Sequence, residues 1–514
     1  MSLSIVIMIA AWIFVIVWIG SVIYTQRNIH PRALFILFIV ELWERFSYYG
    51  MRSLLVLYMI NHLAYRDDPA YGIYGAYGAL VYATPVLGGI IADKFLGYRK
   101  SILLGAILMA FGHFALAFEY EYVFFLALGF LIIGNGFFKP NISSLVGRLY
   151  PEGDPKKDSA FTLFYMGINT GAFLAPLTCG AVGEIFGWHY GFGLAGIGMV
   201  LGLVIFIYGN RSGAFGMQGL PPLEGEIHKK VLKVFSREQL IYILSFLSVP
   251  LFAVLVNQNE ISSRILMVVG ASMIIYLFVL ALKEEKVAKE RLFVILILFF
   301  FTTMFWTFFE LAGSSLMLFT DRNVDREVLG FPLPASIFQS VNPLFIILLA
   351  PAFAALWSFL GKRGKEPSAP LKFSTSLIQL GLGFGALVLG AQFAGENALV
   401  PLVFLILAYL LHTTGELCIS PIGLSLVTKL SATKIVAFVM GIWFLSSSFA
   451  HLIGAEIAKL TSLPQEEGDV EIPLQASLSV YTEVFGHIAW ISIVTGIFLI
   501  FLAPQLKRWM HGVK

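Results

Sequence analysis

The sequence predicts an all-α polytopic membrane protein with two six-helix bundles, two inserted helices and one extra N-terminal helix. Of its 514 residues, 58% are hydrophobic and 13% are charged, whereas soluble domains carry about 25% charged residues. Fifteen segments are apolar over the roughly 20 residues that a bilayer crossing needs. The basic residues are concentrated in alternate connections, which is typical of membrane helices that alternate in direction.

The fifteen segments follow one another with short polar connections, apart from a long polar stretch at 209–239. Their expected bounds are 4–24, 32–62, 73–93, 101–118, 122–147, 159–185, 190–209, 240–256, 265–282, 293–319, 333–360, 373–392, 397–428, 434–461 and 480–505. The long stretch contains Pro221, Pro222 and a short basic amphipathic segment at 226–237. It therefore predicts a cytoplasmic connection that lies on the membrane surface.

Six spans precede this stretch when the first segment is left aside, two spans follow it and six end the chain. The predicted domains are an extra transmembrane helix at 1–31, an N-terminal six-helix bundle at 32–210, a linker with two inserted helices at 211–288 and a C-terminal six-helix bundle at 289–514. This plan favours two pseudo-repeated bundles that bind substrate between them near the middle of the membrane.

The distribution of Lys and Arg predicts the orientation of the chain. With the C-terminus in the cytoplasm, the inner connections contain 26 of these residues and the outer loops contain four. The four outer residues are Arg66, Arg264, Arg322 and Arg326. The outer loop at 465–471 is acidic, which agrees with this orientation. The odd number of spans then places the N-terminus in the periplasm.

The first span could instead be a secretory signal peptide. No positively charged region precedes residues 4–24, their apolar run is long, and Arg27 and Arg32 follow it. These features favour a retained helix, whose simplest role is that of a membrane anchor without a part in transport.

Several classes of function are excluded at this point. The sequence has no basic run with interleaved aromatic residues, so nucleic acid is not an expected partner. Cys179 and Cys418 lie in separate apolar segments, where they form neither a disulfide framework nor a metal signature. We expect both to be buried core residues, and we expect no metal and no cofactor.

The second span carries polar residues along one face. Its segment E-L-W-E-R-F-S-Y-Y-G-M-R contains Glu41, Glu44, Arg45, Tyr48 and Arg52, which fall within about 100° around a helix. A charge inside a span costs about 2.5–3.5 kcal/mol on insertion scales, so this face meets a partner or a water-filled cavity. The alternative is a structural ion-pair network, because the two acids and two bases cancel.

Three further spans each contain one isolated charge: Lys139 in G-N-G-F-F-K-P-N, Glu310 in F-W-T-F-F-E-L-A-G-S-S and Glu416 in H-T-T-G-E-L-C-I-S-P. Without the first span and the two inserted ones, the charged spans are helices 1, 4, 7 and 10 of twelve. This pattern is expected when the first helix of every three-helix unit lines the cavity.

The signs of these charges differ between the two halves of the chain. Helices 1 and 4 carry one surplus positive charge, and helices 7 and 10 carry two negative charges. A cavity with a cationic and an anionic wall suits a ligand with a carboxylate at one end and an ammonium at the other. Carboxylates in such a cavity can exchange protons near neutral pH. The residues alone therefore predict a proton-coupled transporter of zwitterions.

Several motifs resemble those of the proton-dependent oligopeptide transporter family of the major facilitator superfamily. The stretch 41–50 is similar to the family's E-x-x-E-R-F-x-Y-Y-G motif, and 88–100 resembles both its first signature and the general major facilitator loop. The stretch 161–173 resembles the second signature. The segments F-F-K-P-N, F-Q-S-V-N-P, G-E-L-C-I-S-P-I-G-L-S and W-F-L-S-S occur in the expected order. The resemblance covers about residues 32–510.

This resemblance implies the major facilitator fold and proton-coupled uptake of di- and tripeptides across a bacterial inner membrane by alternating access. It assigns proton coupling to Glu41, Glu44, Arg45 and Glu310. Arg52 and Lys139 would meet the C-terminal carboxylate of the peptide, a role suited to fixed cations, and Glu416 would receive its α-ammonium. The remaining substrate-binding residues would be Asn169, Asn342, Tyr48, Tyr49, Tyr82, Trp306, Trp443 and Ser447.

The resemblance also implies gating residues. Asp93 and Arg99 would clamp the inner gate, although a solvated charge cluster is the alternative. Arg52 would pair with Glu310, and Lys139 with Glu416, across the two bundles.

Two departures from the family pattern bear on proton coupling and specificity, beside small deviations at Ser101 and Thr170 and the N-terminal helix, which lies outside the family plan. Animal relatives carry a histidine where this chain has Gly75, so carboxylates would have to couple the proton. The usual Gln-Gln after the Glu310 position is Leu311-Ala312 here, which removes two hydrogen-bonding side chains and leaves the fine specificity open.

Other functions remain as alternatives. The chain could carry another small solute, such as a modified amino acid or a nitrate-like anion, although Glu416 would repel an anion. No nucleophile, base or metal-ligand cluster points to an enzyme, and no appended domain points to a sensor. His412 and Glu416 have i, i+4 spacing that could hold a metal, but a packing role for His412 is favoured because no third ligand is evident.

Overall fold

The computed structural model describes residues 3–151, 153–222, 227–231, 234–432, 435–463 and 473–513. The predicted acidic loop at 465–471 lies outside these ranges. The described chain is almost entirely helical. Its helices are α1 (Leu3–Gln26), α2 (Arg32–Asn61), α3 (Asp67–Ile91), α4 (Gly97–Leu116), α5 (Glu121–Arg148), α6 (Lys156–Ala175), α7 (Ala181–Phe186), α8 (Trp188–Arg211), α9 (Arg237–Leu247), α10 (Val249–Asn257), α11 (Asn259–Lys283), α12 (Lys286–Phe309), α13 (Ser315–Asn323), α14 (Val341–Lys362), α15 (Ala369–Ala391), α16 (Leu402–Leu430), α17 (Val436–Lys459) and α18 (Leu474–Trp509).

Several of the predicted spans contain a break in the regular helix, and in one of them Ser248 separates α9 from α10. Two π-helical turns lie at Ala92–Leu96 and Pro176–Gly180, and two 3-10 turns lie at Glu310–Gly313 and Ala335–Ser340. Short strands occur only in connections of the described chain. They are β1 (Lys230–Val231), β2 (Phe235–Ser236), β3 (Val324–Asp325), β4 (Glu327–Val328), β5 (Phe331–Pro332) and β6 (Val400–Pro401).

Thirteen helical stretches in the described ranges are long and apolar enough to cross a membrane. One of them, Asp67–Leu116, has 50 residues and is therefore about 75 Å long, more than twice the thickness of the hydrocarbon core. It holds two of the predicted spans, and Gly97 with a φ of 72° interrupts it. Helix α2 is not among the thirteen because it carries too many charged residues. Each of the fifteen predicted spans thus coincides with a helix or with a stretch of helices joined end to end.

The contacts divide the chain into two compact units. Unit 1 comprises the residues up to Leu63 together with Leu80–Gln258 and Val328–Leu344, and unit 2 comprises Ala64–Ala79, Asn259–Glu327 and the residues from Phe345 onward. Residues 64–79 were predicted in the N-terminal bundle but pack in unit 2, and residues 328–344 were predicted in the C-terminal bundle but pack in unit 1. The bundle boundaries themselves stay a prediction.

Helix α2 lies at the centre of unit 1, where it packs against α6 and α8. Glycines on these neighbours allow the close approach. An ideal Cβ at Gly171 of α6 would lie 2.2 Å from the backbone oxygen of Leu42, and one at Gly198 of α8 would lie 2.6 Å from the ring of Phe46. Small residues at such contacts are typical of membrane helices, since they let backbones come together.

In unit 2, α15 packs along both α16 and α18. The first half of α3 also belongs to this unit and presents three glycines at a spacing of three residues. Ideal Cβ atoms at Gly72, Gly75 and Gly78 would lie 2.5 Å or less from Asn259, Ala455 and His451, respectively. Side chains at these positions would therefore collide with α11 and α17.

The two inserted helical segments pack in different units. Helix α10 contacts α5 in unit 1, where Gly129 lies against the backbone of Val249. Helix α11 packs in unit 2 against α12 and α17, with Gly270 facing the ring of Phe449. The described part of the linker before α9 forms a two-residue antiparallel ribbon between β1 and β2.

Candidate functional site

The polar face of α2 is largely buried. Glu41, Glu44 and Arg45 are each at most 2% exposed, and Tyr48 is 3% exposed, whereas Arg52 is half-buried. The stripe therefore avoids lipid, as its spacing on the helix predicts.

Arg45 joins the two carboxylates of this face. Its Nη2 donates to Oε1 of Glu44 at 2.7 Å, its Nε donates to the other oxygen of Glu44, and the same Nε lies 3.3 Å from Oε1 of Glu41. The second oxygen of Glu41, Oε2, is buried and accepts no hydrogen bond from the described protein groups. One arginine thus neutralises two acids only in part, and an oxygen of Glu41 remains able to take a proton.

Aromatic rings accompany the cations of α2. The guanidinium of Arg45 lies 5.3 Å from the ring centre of Tyr48, and that of Arg52 lies 5.7 Å from the ring of Tyr49. The two tyrosine rings meet edge to face at 5.3 Å. Cation–π contacts of this kind stabilise a charge that has lost its water.

Lys139 lies on α5 directly before Pro140, in the same unit. Its Nζ is 4.4 Å from the ring centre of Tyr82 on α3. Pro140 has no N–H and cannot bond the oxygen of Gly136. Gly88 of α3 packs at this point, since its ideal Cβ would lie 1.9 Å from that oxygen. Lys139 therefore lies in unit 1 together with the predicted acids and cations of α2.

Two further predicted substrate-binding residues, Asn169 and Asn342, also lie in unit 1. Asn169 on α6 is buried, and its Nδ2 donates to the oxygen of Tyr165 one turn earlier at 3.0 Å. Asn342 is half-buried at the start of α14, directly after the 3-10 turn Ala335–Ser340.

Glu310 and Glu416 lie in unit 2. Glu310 lies at a break in a helix, and Glu416 lies in a helical segment that contains a glycine. Glu310 begins the 3-10 turn that ends α12 and is 9% exposed. Trp306, one turn earlier, packs its ring edge to face against Phe309 at 5.2 Å. Glu416 on α16 is 7% exposed.

His412, one turn before Glu416, has a packing role in the structure. Its ring lies 4.8 Å from that of Phe384 on α15 and covers Gly383. Among the described residues, no group of three His, Cys, Asp or Glu side chains could hold a metal. Cys179 and Cys418 are both buried and free, as predicted.

The last two predicted substrate residues lie on α17. Trp443 is buried and packs against Gly423 of α16, where an ideal Cβ would lie 2.8 Å from its ring. Ser447 is half-buried one turn later.

Asp93 and Arg99 form hydrogen bonds with different partners. Tyr98 donates its hydroxyl to Oδ1 of Asp93 at 2.9 Å. Arg99 donates from Nε to the oxygen of Gln218 and from Nη2 to that of Gly216, both at 2.6 Å. Arg99 therefore holds the chain that follows α8, while a gating role for either residue stays a prediction.

Two carboxylate contacts were missed by the sequence analysis. Asp67, at the start of α3, forms a two-pronged ion pair with Arg322 of α13 at 2.7 and 2.8 Å, and both side chains are largely buried. In unit 1, Glu184 of α7 accepts from the backbone N–H groups of Ala335 and Ser336 at 3.1 and 2.8 Å. The only sequence signal was that Arg322 is one of four basic residues in the predicted outer loops.

Comparisons with known proteins agree with this architecture. A profile of the POT family matches residues 99–478. The chain is 38% identical over 490 residues to the uncharacterized transporter YclF of Bacillus subtilis strain 168, which covers 94% of this chain and 96% of the relative. It is 34% identical over 483 residues to dipeptide and tripeptide permease B of Shigella dysenteriae, with 93% and 96% covered.

Solved structures show the same similarity. A POT peptide transporter in complex with alafosfalin superimposes with a TM-score of 0.80 at 35% identity, covering 94% of this chain and 96% of the other. A POT family transporter in complex with 5-aminolevulinic acid gives 0.78 at 33% identity, with 93% and 97% covered. The chain belongs to the POT family and is a membrane transporter with the major facilitator fold.

Proposed function

We propose that this protein takes up di- and tripeptides together with protons across a bacterial inner membrane by alternating access. Several curated relatives are named dipeptide and tripeptide permeases. The observation that carries the proposal is the separation of charge. The cations Arg52 and Lys139 lie in unit 1, and the buried carboxylates Glu310 and Glu416 lie in unit 2. A peptide has one terminus of each sign.

In this proposal the peptide carboxylate binds Arg52 and Lys139, and the α-ammonium binds Glu416. Charge-assisted hydrogen bonds to such groups are about twice as strong as neutral ones. Asn169 and Asn342 bond the ends of the peptide backbone, and Tyr48, Tyr49, Tyr82, Trp306, Trp443 and Ser447 line the side-chain pockets.

Proton coupling is assigned to Glu41, Glu44, Arg45 and Glu310. The buried oxygen Oε2 of Glu41, which lacks a hydrogen bond from described groups, supports this assignment. A proton on a carboxylate weakens its attraction to Arg45 or Arg52 and changes the balance between the two facing states. Proton and peptide then drive transport because each binds one facing state better than the other.

A second candidate is the uptake of another small solute with an amino and an acid group. A structural neighbour of the same family was solved in complex with 5-aminolevulinic acid. That ligand has the same two charges as a peptide but no peptide bond, so it competes directly with the first proposal.

The test is uptake of labelled dialanine into proteoliposomes, with and without an inward proton gradient. We expect gradient-driven uptake by the unaltered protein and a loss of at least about tenfold in Glu416→Gln, since a hydrogen bond to a charge contributes about 1.5–3 kcal/mol. Glu260→Gln is the matched control, because Glu260 is exposed and its ion pair is with the exposed Arg264.

N-acetylated dialanine, which lacks the ammonium, should not compete with dialanine for the unaltered protein. Uptake of 5-aminolevulinic acid without uptake of any dipeptide would overturn the peptide proposal in favour of the second candidate. Equal uptake by Glu416→Gln and the control would remove Glu416 from the binding site.

A further inference from the structure

The extra helix α1 is docked on unit 1 along one face. Ser4, Ala11 and Val15 are buried, at spacings that place them on the same side of the helix, while Ile13, Ile16 and Val17 are exposed. Near its start, Ser4 and Met8 face Ala181 and Ile185 of α7 across a cavity of about 80 Å³.

A hydrogen bond between distant residues fixes the middle of α1. Nε1 of Trp12 donates to Oγ1 of Thr178 at 3.0 Å. Thr178 is 9% exposed and lies within the π-helical turn Pro176–Gly180. Single π-helical turns inside α-helices occur frequently at functional sites. A helix that serves only as an anchor in lipid needs no such polar bond to its neighbour.

The π-helical turn is a junction of several elements in unit 1. An ideal Cβ at Gly50 of α2 would lie 2.7 Å from Sγ of Cys179, and one at Gly180 would lie 2.5 Å from Oγ of Ser336. The turn thus touches α2 between Arg45 and Arg52, and it also touches the 3-10 turn that precedes Asn342.

The ring of Trp12 also contacts helix α2 directly. Its centre lies 5.9 Å from that of Trp43 and 6.0 Å from that of Phe46, and these two rings meet edge to face at 5.4 Å. Trp43 and Phe46 directly flank Glu44 and Arg45 in the chain. Trp12 therefore supports the face of α2 that lies opposite to its charged face.

We propose that α1 is a positioning element of the transporter, in which Trp12 and Thr178 hold the π-helical turn and the coupling helix α2 in register. The expected change in uptake rate rests on the proposed transport function. The expected stabilisation of the π-helical turn by Trp12 and Thr178 does not. The described partners of Trp12 are Thr178, Trp43 and Phe46, and none of them is a predicted substrate residue. We therefore expect an effect on the movement of helices and not on peptide affinity.

The experiment compares the full-length protein with Trp12→Phe, Thr178→Val and the double variant. Phe keeps an aromatic ring at this position and removes the donor, and Thr178→Val removes the acceptor at nearly the same side-chain volume. We expect amide hydrogen exchange in residues 177–180 to rise about threefold in each single variant, and by no more in the double variant, since one interhelical hydrogen bond contributes about that factor in membrane proteins. In proteoliposomes the maximal rate of dialanine uptake should change by a similar factor, with the half-saturating concentration within about twofold.

Trp18→Phe, on the same helix, is the matched control. If both single variants show the same amide exchange and the same maximal uptake rate as this control, the proposal is overturned and α1 is left as an anchor. Effects that add in the double variant would also overturn it, because the two residues would then act separately. If the unaltered protein moves no dialanine, the proposed transport function fails, and the exchange measurement still decides whether Trp12 holds the turn.

Discussion

Gly75 illustrates how a single residue constrains this protein. The resemblance to the family implies a histidine at this position in animal members, and the sequence alone shows only that the imidazole is missing. The structure adds that no side chain fits there. An ideal Cβ would lie 2.3 Å from Cβ of Ala455 and 2.9 Å from the backbone oxygen of His451, so the first half of α3 packs directly on α17.

We expect Gly75→His to destabilise the protein by at least about 1–3 kcal/mol, the usual cost of overpacking a core. Thermal unfolding in detergent measures this loss, and Gly75→Ala should show a smaller one. Gly20→Ala is the control, since nothing lies within 4 Å of its ideal Cβ. A Gly75→His protein as stable as the control would show that α3 and α17 separate easily here.

His30 lies in the turn between α1 and α2, outside both spans, and its side chain is buried. Its Nδ1 lies 2.8 Å from the hydroxyl of Tyr150, and its Nε2 lies 3.3 Å from Oγ of Ser159. Burial lowers the pKa of His30, Lys156 lowers it further, and Asp154 opposes them. Burial raises the pKa of Tyr150 to about 12, so the phenol stays protonated and can donate to a neutral imidazole.

This turn should make the stability of the protein sensitive to acid. A histidine with a lowered pKa in the folded state binds fewer protons than it does when unfolded, so stability is lost as pH falls below the ordinary value of 6.5. We expect the unfolding temperature to fall less between pH 7.5 and pH 5.5 in His30→Gln than in the unaltered protein. His228→Gln, at an exposed position, is the control, and equal pH dependence in all three proteins would contradict this role of His30.

For the whole molecule, the orientation in the membrane follows from the distribution of basic residues and stays a prediction. Glu396 lies in a predicted outer loop and Lys365 in a predicted inner connection, and both are exposed. We expect a membrane-impermeant maleimide to label Glu396→Cys on intact cells and Lys365→Cys only after the membrane is opened. The native cysteines are buried and give little background. The reverse pattern would invert the topology.

The sequence by itself determined the membrane class, the fifteen spans and the burial of the α2 stripe. These properties depend on local quantities, namely the length of apolar runs, the cost of placing a charge in lipid and the period of a helix. The motifs around Glu41, Lys139 and Glu416 were sufficient to identify the family for the same reason, since each lies within a few consecutive residues.

Only the tertiary structure decided which groups meet. Trp12 and Thr178 are 166 residues apart, and Asp67 and Arg322 are 255 apart, so no local pattern encodes either pair. The placement of residues 64–79 in unit 2 likewise depends on how glycines of α3 fit against α17. A hydrogen bond or ion pair depends on distances of a few tenths of an ångström, and such distances arise only when helices from remote parts of the chain pack together.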